Sequence, residues 1–402
     1  MSGPNLVQRD LGGGDVEVSA PDALHTNPLV SVWMITYNHA AYIREALDSV
    51  LMQQVDFAYE ICLGEDGSMD GTREICLDYV SQYPDKIRLF LRDRTNPERE
   101  KYVVPYRHNT VATFEACRGK YIAMLEGDDY WTDAHKLSLQ SDLLESDPGL
   151  AVIGHYATCC PEGRPWDARV IPPGPVGRFT VADILRRDIA NIHTATLMLR
   201  RSKPVDWSLF SESSFADYPL LVWSLRGGCG QVLPRVMSTY RTHSGGNFSA
   251  LSMVTRYRQN VVLWRILRDI VPVEQAEAAD IGMLKIMVSL IAELRKEGHP
   301  FEAFRSFSEV IRRVGQMRGC ALHQQAQMYV SALESLLVPR FRGARRWLFG
   351  CLRQRHAPLM KCNGAAGLLR SDAGKCGPTN REGIGSYREV YSADLGGPSG
   401  HE

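Results

Sequence analysis

The sequence predicts an α/β fold in which a mostly parallel sheet carries helices on both faces, followed by an all-helical C-terminal region. The first observation is that short, β-rich apolar runs alternate with segments of helical periodicity between residues 28 and 250, a pattern typical of parallel strands joined by helices. The second is that residues 251–338 show helical periodicity with few glycines and no strand-like runs. Together they predict one α/β domain and one helical region.

Each strand of the α/β domain is predicted from a short apolar run, and each helix from apolar residues that recur at intervals of three and four. The predicted strands cover residues 30–36, 59–63, 87–91, 121–125, 151–156 and 231–237. The predicted helices cover residues 42–51, 72–80, 111–117, 135–145 and 220–225. Asp70 and Thr72 are candidate N-caps of the second helix.

Three segments fall outside the two predicted folded regions. Residues 1–27 and 358–402 are rich in glycine and polar groups, and we expect both to be disordered. Residues 339–357 form a basic amphipathic segment, with six arginines and no acid between Arg340 and Arg355, and with Trp347 and Phe349 among them. This segment is either the solvated face of a helix or an interfacial helix that contacts an anionic membrane.

The bulk composition is typical of a soluble globular protein, with 44% hydrophobic and 23% charged residues. Lysine plus arginine equals aspartate plus glutamate at 46 each, which gives no support for a nucleic-acid partner. The ten cysteines form no C-x-x-C pair, so we expect free thiols in a reducing compartment. The N-terminus lacks the order of a secretory signal, and no apolar run reaches the roughly 18 residues of a spanning helix. We therefore expect a cytoplasmic protein, peripheral at the inner face of the membrane if the basic segment binds there.

Polar residues follow three of the predicted strands, at the carboxyl ends where parallel sheets bind ligands. The first group is residues 36–39, which include Thr36 and Asn38, and the second is residues 65–72. In the second group, Asp66 precedes a tight Gly-Ser turn, and we expect it to accept hydrogen bonds from a ligand. Asp70 is better explained as a helix cap, because Asp is common in strand-to-helix turns.

The third group is the acidic turn EGDDYW at residues 126–131, directly after an apolar strand. Two adjacent carboxylates at a buried strand end repel each other unless a cation lies between them. Mg²⁺ or Mn²⁺ suits oxygen ligands and keeps positions for phosphate oxygens. The alternative is an exposed acidic turn without a ligand, but the preceding strand favours a metal site at Asp128 and Asp129.

Two further groups lie nearer residue 250. Asp217 precedes the helical run 220–225 and is either an N-cap or a general base that deprotonates an acceptor hydroxyl. The glycine-containing segment 240–249 follows the last predicted strand. It is either an exposed loop or a mobile flap in which Arg241 and His243 neutralise the charge of a diphosphate.

Taken in order, these groups resemble family 2 of the inverting glycosyltransferases, which have the Rossmann-like GT-A fold. The resemblance rests on VSVWMITYNH at residues 30–39, YEICLGEDGSMDGT at residues 59–72 and GKYIAMLEGDDYW at residues 119–131. It extends from about residue 28 to residue 250, which is the predicted glycosyltransferase domain. Several motifs in the family's order are far more specific than any one of them alone.

The resemblance implies a role for each matching residue. Thr36 and Asn38 match the first nucleotide-contacting turn, and Asp66 matches the acid that binds the base. Asp128 matches the residue near the ribose, and Asp129 matches the metal ligand. Two matches are less complete: the family's usual Glu-Asp pair, which carries the catalytic base, is Ala216–Asp217 here, and the flap histidine that His243 matches occurs in only part of the family.

The resemblance also implies a reaction. A sugar moves from a UDP-, GDP- or dTDP-sugar to a hydroxyl of a sugar or lipid-linked sugar acceptor, with inversion at the anomeric carbon. Mn²⁺ or Mg²⁺ at Asp129 stabilises the leaving diphosphate, and Asp217 takes the acceptor proton. Such enzymes act in polysaccharide or glycoconjugate biosynthesis at the cell surface.

Three other classes of protein are consistent with an acidic site on an α/β sheet. A nucleotidyltransferase usually has a glycine-rich, basic phosphate loop after its first strand, where this chain has Thr36–His39. A Rossmann oxidoreductase is disfavoured because no G-x-G-x-x-G follows that strand. A degenerate, non-catalytic binding module would not need to retain Asp66, Asp128 and Asp129.

Overall fold

The computed structural model of the chain describes residues 5–314, except residues 105, 175, 190, 191, 202 and 203. In this range the predicted fold class is confirmed: a mixed sheet with a parallel centre is followed by helices. The strands are β1 Val7–Gly12, β2 Asp15–Ser19, β3 Val30–Thr36, β4 Tyr59–Glu65, β5 Ile87–Leu91, β6 Tyr121–Glu126, β7 Tyr130–Trp131, β8 Leu150–Pro161, β9 Arg169–Ile171, β10 Gly177–Phe179, β11 Met198–Arg200 and β12 Cys229–Thr242. The helices are α1 Ile43–Leu51, α2 Thr72–Gln82, α3 Arg107–Glu115, α4 Lys136–Ser146, α5 Val181–Leu185, α6 Asp217–Leu225, α7 Met253–Ile270, α8 Val273–Lys296 and α9 Pro300–Val314.

The sheet has the strand order β1-β2-β5-β4-β3-β6-β11-β8-β12-β10. Its centre, β5-β4-β3-β6, is parallel, and antiparallel strands extend it on both sides. In the register of the central strands, Thr36 lies beside Glu65 and Ile35 lies beside Glu126. The turns after β3, β4 and β6 therefore leave the sheet at one level of its carboxyl edge.

Side chains of the central strands alternate between two hydrophobic clusters, one on each face of the sheet. Val32 and Met34 of β3 point into the cluster that contains α1, α2 and α4. Trp33, between them, points into the cluster that contains α3 and the helices from α5 onward. Because parallel strands are buried on both faces, they consist of nearly continuous apolar residues, and this is why the strand predictions were confirmed here.

Residues 5–27 are ordered, and the prediction of disorder for residues 1–27 was wrong over this described part. From residue 7 it forms the hairpin β1-β2, and β2 pairs antiparallel with β5. Asp15 and Glu17 are buried against Arg92 and Arg88 of the neighbouring region. A polar segment can be ordered when its charges are paired in this way, and the composition of the segment alone does not reveal those partners.

Several boundaries differ from the prediction. The helix expected at residues 111–117 begins at Arg107, and the strands expected at 151–156 and 231–237 run over Leu150–Pro161 and Cys229–Thr242. The short elements β7, β9, β10, β11 and α5 were not predicted. Strands of two or three residues carry too little periodicity to recognise, and pairing with β6, β8 and β12 stabilises them.

The C-terminal region is helical as far as the structure describes it, with α7, α8 and α9 up to Val314. The rest of the predicted helical region to residue 338, the basic segment 339–357 and the predicted tail 358–402 lie outside the described residues. No helix within the described ranges combines the length and apolar character needed to cross a lipid bilayer. The six cysteines of the described part are free thiols, of which four are buried.

Helix α8 packs on the α/β domain through a glycine. A Cβ atom on Gly282 would lie 1.9 Å from the carbonyl oxygen of Leu185 and 2.4 Å from Nε1 of Trp264. That carbonyl already accepts a hydrogen bond of 2.8 Å from the Trp264 indole. The close approach of backbone to backbone therefore requires a residue without a side chain.

We expect Gly282→Ala to lower the free energy of unfolding by at least about 2 kcal/mol, because a methyl group here overpacks against backbone that cannot retreat. Urea titration of the purified variant measures this. The matched control is Gly154→Ala, where the new Cβ would lie 3.8 Å from its nearest neighbour and should change stability by less than about 1 kcal/mol. Equal stabilities of the two variants would contradict the packing argument.

Candidate active site

The turns after β3, β4 and β6 are joined directly by backbone hydrogen bonds. The N–H of Asp66 donates to the carbonyl of Thr36 at 3.0 Å, and the N–H of Gly127 donates to the carbonyl of Ile35 at 2.9 Å. The β3 turn therefore lies between the other two. This brings Thr36, Asp66 and the acidic turn, all predicted site residues, to one edge of the sheet.

Side-chain hydrogen bonds connect the turn after β3 to the turn after β4. Asn38 has a left-handed backbone conformation with φ of 53°, and its Oδ1 accepts the N–H of Met69 at 3.1 Å. Its own N–H donates to Oγ of Ser68 at 2.9 Å. The structure thus shows Asn38 as a brace between the loops, and a contact from Asn38 to a nucleotide stays a prediction.

Asp70 also braces the two turns. Its carboxylate accepts the N–H of Thr72 at 3.1 Å, the hydroxyl of Thr72 at 2.6 Å and the N–H of Ala40 at 3.0 Å. The N-cap of α2 is Gly71, in a left-handed conformation with φ of 96°. The prediction of Asp70 or Thr72 as the N-cap was therefore wrong, since Thr72 is the first residue of the helix and Asp70 instead connects the two turns.

Asp66 is buried and held by two arginines. Oδ2 accepts from Arg94 at 3.1 Å, and Oδ1 accepts from Arg99 at 2.5 Å. Burial raises the pKa of Asp66, and the two guanidinium groups oppose that rise. The Arg94 guanidinium also lies 4.4 Å from the centre of the Tyr37 ring. The sequence analysis did not find Arg94 and Arg99, because no motif joins residues that follow β5 to the turn after β4.

The acidic turn holds three carboxylates together. Glu126, Asp128 and Asp129 each offer an oxygen, and these oxygens lie within 4.8 Å of one another. Asp129 is 1% exposed, and its Oδ1 accepts the N–H of Arg241 at 2.9 Å. Glu126 was quoted in the motif but not predicted as a site residue. The signal available for it was its position as the last residue of the strand.

Burial and neighbouring charges shift the pKa values of the three carboxyl groups in this cluster. Burial, followed by the charges of Asp128 and Asp217, raises the pKa of Glu126 to about 8. Burial and the charges of Asp128 and Glu126 raise the pKa of Asp129 well above its usual value. Burial acts in the same direction on Asp128, but a hydrogen bond from His243 and the charge of His39 bring its pKa below the usual value. The protein alone therefore does not neutralise the full negative charge of the cluster.

The hydrogen bonding of two carboxylate oxygens indicates whether a metal ion fits the acidic turn. Oδ1 of Asp128 and Oδ2 of Asp129 are buried and have no hydrogen-bond partner within the described part of the chain. Buried polar oxygens are almost always satisfied in folded proteins, and a hard divalent cation is a ligand that satisfies carboxylates. The donor set therefore fits Mg²⁺ or Mn²⁺, with Glu126, Asp128 and Asp129 as the residues that could hold it.

The end of β12 and the residues after it lie against the acidic turn, so the loop or flap predicted for residues 240–249 is a strand up to Thr242. Arg241 donates from Nη1 to the carbonyl of Asp128 at 2.7 Å, and it forms an ion pair with Glu45. Nε2 of His243 lies 3.1 Å from Oδ2 of Asp128, and this contact raises the pKa of His243. Both predicted flap residues are thus brought to the acidic turn, where they contact protein groups.

His39 is a neighbour of Asp128 that the sequence analysis quoted without a role. Its Nε2 lies 3.6 Å from Oδ2 of Asp128. Its Nδ1 and the hydroxyl of Thr36 are buried without a hydrogen-bond partner among the described residues. A Cβ at Gly127 would lie 2.6 Å from that hydroxyl and 3.1 Å from Nδ1, so glycine is required for the two turns to approach each other.

Asp217 is the first residue of α6, and Ala216 takes the N-cap position. The alternative of Asp217 as N-cap is therefore wrong. Burial raises the pKa of Asp217, and its charge contributes to the raised pKa of Glu126. Arg107, 1% exposed, holds the preceding turn by donating to the carbonyls of Ser213 and Phe215 at 2.5 Å each.

This arrangement defines a class of protein: an α/β domain with a metal-competent acidic turn at the carboxyl edge of its parallel strands, and a separate carboxylate at a helix start nearby. Residues 31–205 match the family described as Glycosyl transferase family 2. This part of the chain is therefore similar to the family whose motifs the sequence analysis quoted.

Similar proteins come from bacteria. An uncharacterized protein of Mycobacterium tuberculosis (strain ATCC 25618 / H37Rv) is 33% identical over 217 residues, which cover 54% of this chain and 60% of that protein. The minor teichoic acid biosynthesis protein GgaA of Bacillus subtilis is 27% identical over 138 residues, covering 34% of this chain and 29% of that protein. The chain thus spans about 60% of the length of the mycobacterial relative.

Among solved structures, S. aureus TarS 1–349 in complex with UDP-GlcNAc is similar at 15% sequence identity with a TM-score of 0.48. The match covers 81% of this chain and 88% of that chain.

Proposed function

We propose that the chain is a metal-dependent inverting glycosyltransferase that moves a sugar from a nucleotide-diphosphate sugar to an acceptor hydroxyl. The observation that carries this proposal is that one carboxylate oxygen of Asp128 and one of Asp129 are buried with no hydrogen-bond partner in the described part of the chain, within the region that matches family 2. A nucleotide diphosphate and a divalent cation together would satisfy both oxygens. An exposed acidic turn without a ligand would not leave them buried.

The metal site consists of Asp129, with Glu126 and Asp128 beside it. A bound Mn²⁺ or Mg²⁺ supplies positive charge that stabilises the leaving diphosphate. The protein contributes an oriented set of oxygens, because the backbone N–H of Arg241 fixes one oxygen of Asp129. The imidazoles of His243 and His39 both lie beside Oδ2 of Asp128 and help to orient its carboxylate. These contacts reduce the reorganisation needed at the moment of reaction.

The donor is proposed to bind across the three turns at the edge of the sheet. Thr36 lies between the other two turns and carries a buried, unpartnered hydroxyl, which suits a hydrogen bond to the nucleotide. Asp66 is proposed to contact the base, with Arg94 and Arg99 holding its carboxylate. Asn38 keeps the first turn in shape, and Arg241 and His243 lie where diphosphate charge would be neutralised.

Asp217 is proposed as the general base. It takes the proton of the acceptor hydroxyl, whose oxygen attacks the anomeric carbon while the bond to the diphosphate breaks, so the configuration inverts. A raised pKa makes a carboxylate a stronger base once it is ionised, and burial raises the pKa of Asp217. Arg107 fixes the turn that carries Asp217, which keeps the base in place.

The acceptor is proposed to be a sugar or lipid-linked sugar of a cell-surface polysaccharide. Similarity to a protein of minor teichoic acid biosynthesis supports this class. A cytoplasmic location and peripheral contact of residues 339–357 with an anionic membrane remain proposals from the sequence. The basic composition of that segment supports them, and deleting residues 339–402 should reduce binding to anionic vesicles if they hold.

A screen of nucleotide-sugars tests the proposed function. We expect one of the UDP-, GDP- or dTDP-sugars to stabilise the protein in the presence of Mn²⁺, by about 2.7 kcal/mol at a hundred times its dissociation constant. Slow hydrolysis of that donor should follow, and a chelator should abolish it. A thermal-shift assay and chromatography of the released sugar measure the two effects.

The outcomes separate the competing classes. Release of pyrophosphate from a nucleoside triphosphate, without donor hydrolysis, would identify a nucleotidyltransferase. Donor binding with neither hydrolysis nor transfer to any acceptor would identify a non-catalytic binding module. Absence of any nucleotide binding with metal present would overturn the proposal.

A further inference from the structure

The hairpin β1-β2 lies outside the matched family region of residues 31–205. It nevertheless belongs to the same sheet as the strands that carry the proposed donor site. Its strand β2 pairs with β5, from Val16 opposite Leu91 to Val18 opposite Leu89. Residues 92–99, which follow β5, include Arg94 and Arg99, the two arginines that bind the carboxylate of Asp66. The hairpin therefore adjoins the segment that shapes the predicted base site.

Asp15, at the start of β2, fixes the beginning of that segment. One oxygen of its buried carboxylate accepts from Arg92 at 3.1 Å and lies 2.7 Å from Nε2 of His108. The other accepts the N–H of Asp93 at 2.9 Å. Asp15 binds both the side chain of Arg92 and the backbone of Asp93. It therefore helps to fix the position of the next residue, Arg94.

The turn of the hairpin packs so closely against residues 93–96 that a side chain would not fit at Gly13 or Gly14. A Cβ on Gly14 would lie 2.4 Å from Oδ2 of Asp93, and a Cβ on Gly13 would lie 2.4 Å from Oδ1 of Asn96. Both glycines have a positive φ, which other residues adopt only with strain. Gly12 has the same φ as Gly14, 89°, but a Cβ there would meet nothing within 4 Å.

A pocket of about 260 Å³ lies at this junction. The hairpin supplies Gly14 and Val16 to its lining, and the turn after β4 supplies Gly67. Arg94, which also lines it, contacts Asp66 and the Tyr37 ring. The volume is below the roughly 300–1,000 Å³ of pockets that hold whole drug-sized ligands. It suits one planar heterocycle better than a complete nucleotide-sugar.

We propose that the hairpin forms one wall of the pocket that binds the donor's nucleobase, and that Gly14 and Asp15 are positioning residues for Arg94 and Asp66. The proposal rests on the proposed function, since it assumes a nucleotide-sugar donor. It adds that residues outside the family region determine how tightly the base is held. The metal and diphosphate site proposed above is the acidic turn, which is a different part of the chain from residues 92–99 that the hairpin contacts.

The test compares Gly14→Ala with Gly12→Ala, because both glycines have a φ of 89°. Only the first places a methyl group against Asp93. We expect Gly14→Ala to raise the dissociation constant of the nucleoside diphosphate of the preferred donor about tenfold, the equivalent of one lost hydrogen bond. Inorganic pyrophosphate with Mn²⁺ should bind both variants like the wild type. In turnover, the donor KM should rise while kcat changes less than about twofold.

Three results would overturn the inference: equal nucleotide affinity in the two variants, an equal loss of pyrophosphate affinity in Gly14→Ala, or a fall in kcat without a rise in KM. If Gly14→Ala does not fold, Asp15→Asn provides the same comparison, because it keeps the shape of the side chain and removes its charge from Arg92. A wild-type protein that binds no nucleoside diphosphate would instead refute the proposed function. A wild-type protein that binds one, with unaffected variants, would refute the role of the hairpin alone.

Discussion

Asp129→Asn is expected to abolish metal-dependent transfer while leaving the metal-free protein folded. Asn retains an oxygen that can accept the N–H of Arg241, but it removes the charge that a divalent cation requires. Because burial and neighbouring charges raise the pKa of Asp129, the neutral amide resembles the protonated acid of the metal-free state. We therefore expect an unchanged or higher Tm without metal, no stabilisation by Mn²⁺, and a fall in kcat/KM of at least about a hundredfold.

The control for this variant is Asp142→Asn, which removes one exposed carboxylate from α4. It should bind Mn²⁺ and turn over donor like the wild type, because it lies outside the acidic turn. Calorimetric titration with Mn²⁺ and initial rates across metal concentrations measure both variants. Full transfer by Asp129→Asn in the presence of a chelator would remove the metal from the proposed mechanism.

Asp217→Asn is expected to stop transfer to the acceptor but to leave donor binding intact. The amide cannot take a proton from a hydroxyl, and loss of a general base typically costs about a hundredfold to ten-thousandfold in rate. Because burial raises the pKa of Asp217, replacing it with a neutral group should not destabilise α6. The dissociation constant of the nucleoside diphosphate with Mn²⁺ should stay within about twofold of the wild type.

Glu212→Gln is the matched control, since it removes an exposed carboxylate five positions before Asp217 in the same approach to α6. Single-turnover transfer rates and nucleotide titrations separate the two variants. If Asp217→Asn retains the wild-type rate, another group takes the proton. If it loses nucleotide affinity in parallel with rate, Asp217 acts in donor binding.

Much of the candidate site follows from the order of strands. Thr36 ends one mainly apolar strand, Asp66 and Asp128 follow two others, and parallel strands place their carboxyl ends along one edge. The periodicity of the sequence was therefore enough to bring these turns together. It was not enough for Glu126, because the alternation of side chains gives the face of the strand but not the distance from this carboxylate to those of Asp128 and Asp129. Its contribution appears only with the carboxylate oxygens in place.

The arginines on Asp66 and the hairpin illustrate what sequence patterns miss. Asp15 and Arg92 are 77 positions apart, and Asp66 and Arg99 are 33 apart. Each pair is buried, so each member is stable only because the other compensates its loss of hydration. No local pattern encodes such a partner, and a polar, glycine-rich N-terminus therefore resembled a disordered one.

By itself the sequence determined the α/β class, the central strands and the chemistry of the acidic turn. These depend on local periodicity and on which residues stand next to each other along the chain. The tertiary structure alone decided which charges are buried together, that two oxygens of the acidic turn lack a partner among the described residues, and that the hairpin packs against β5 and the residues after it. Those features depend on desolvation and on contacts between distant segments, which exist only once the sheet has formed.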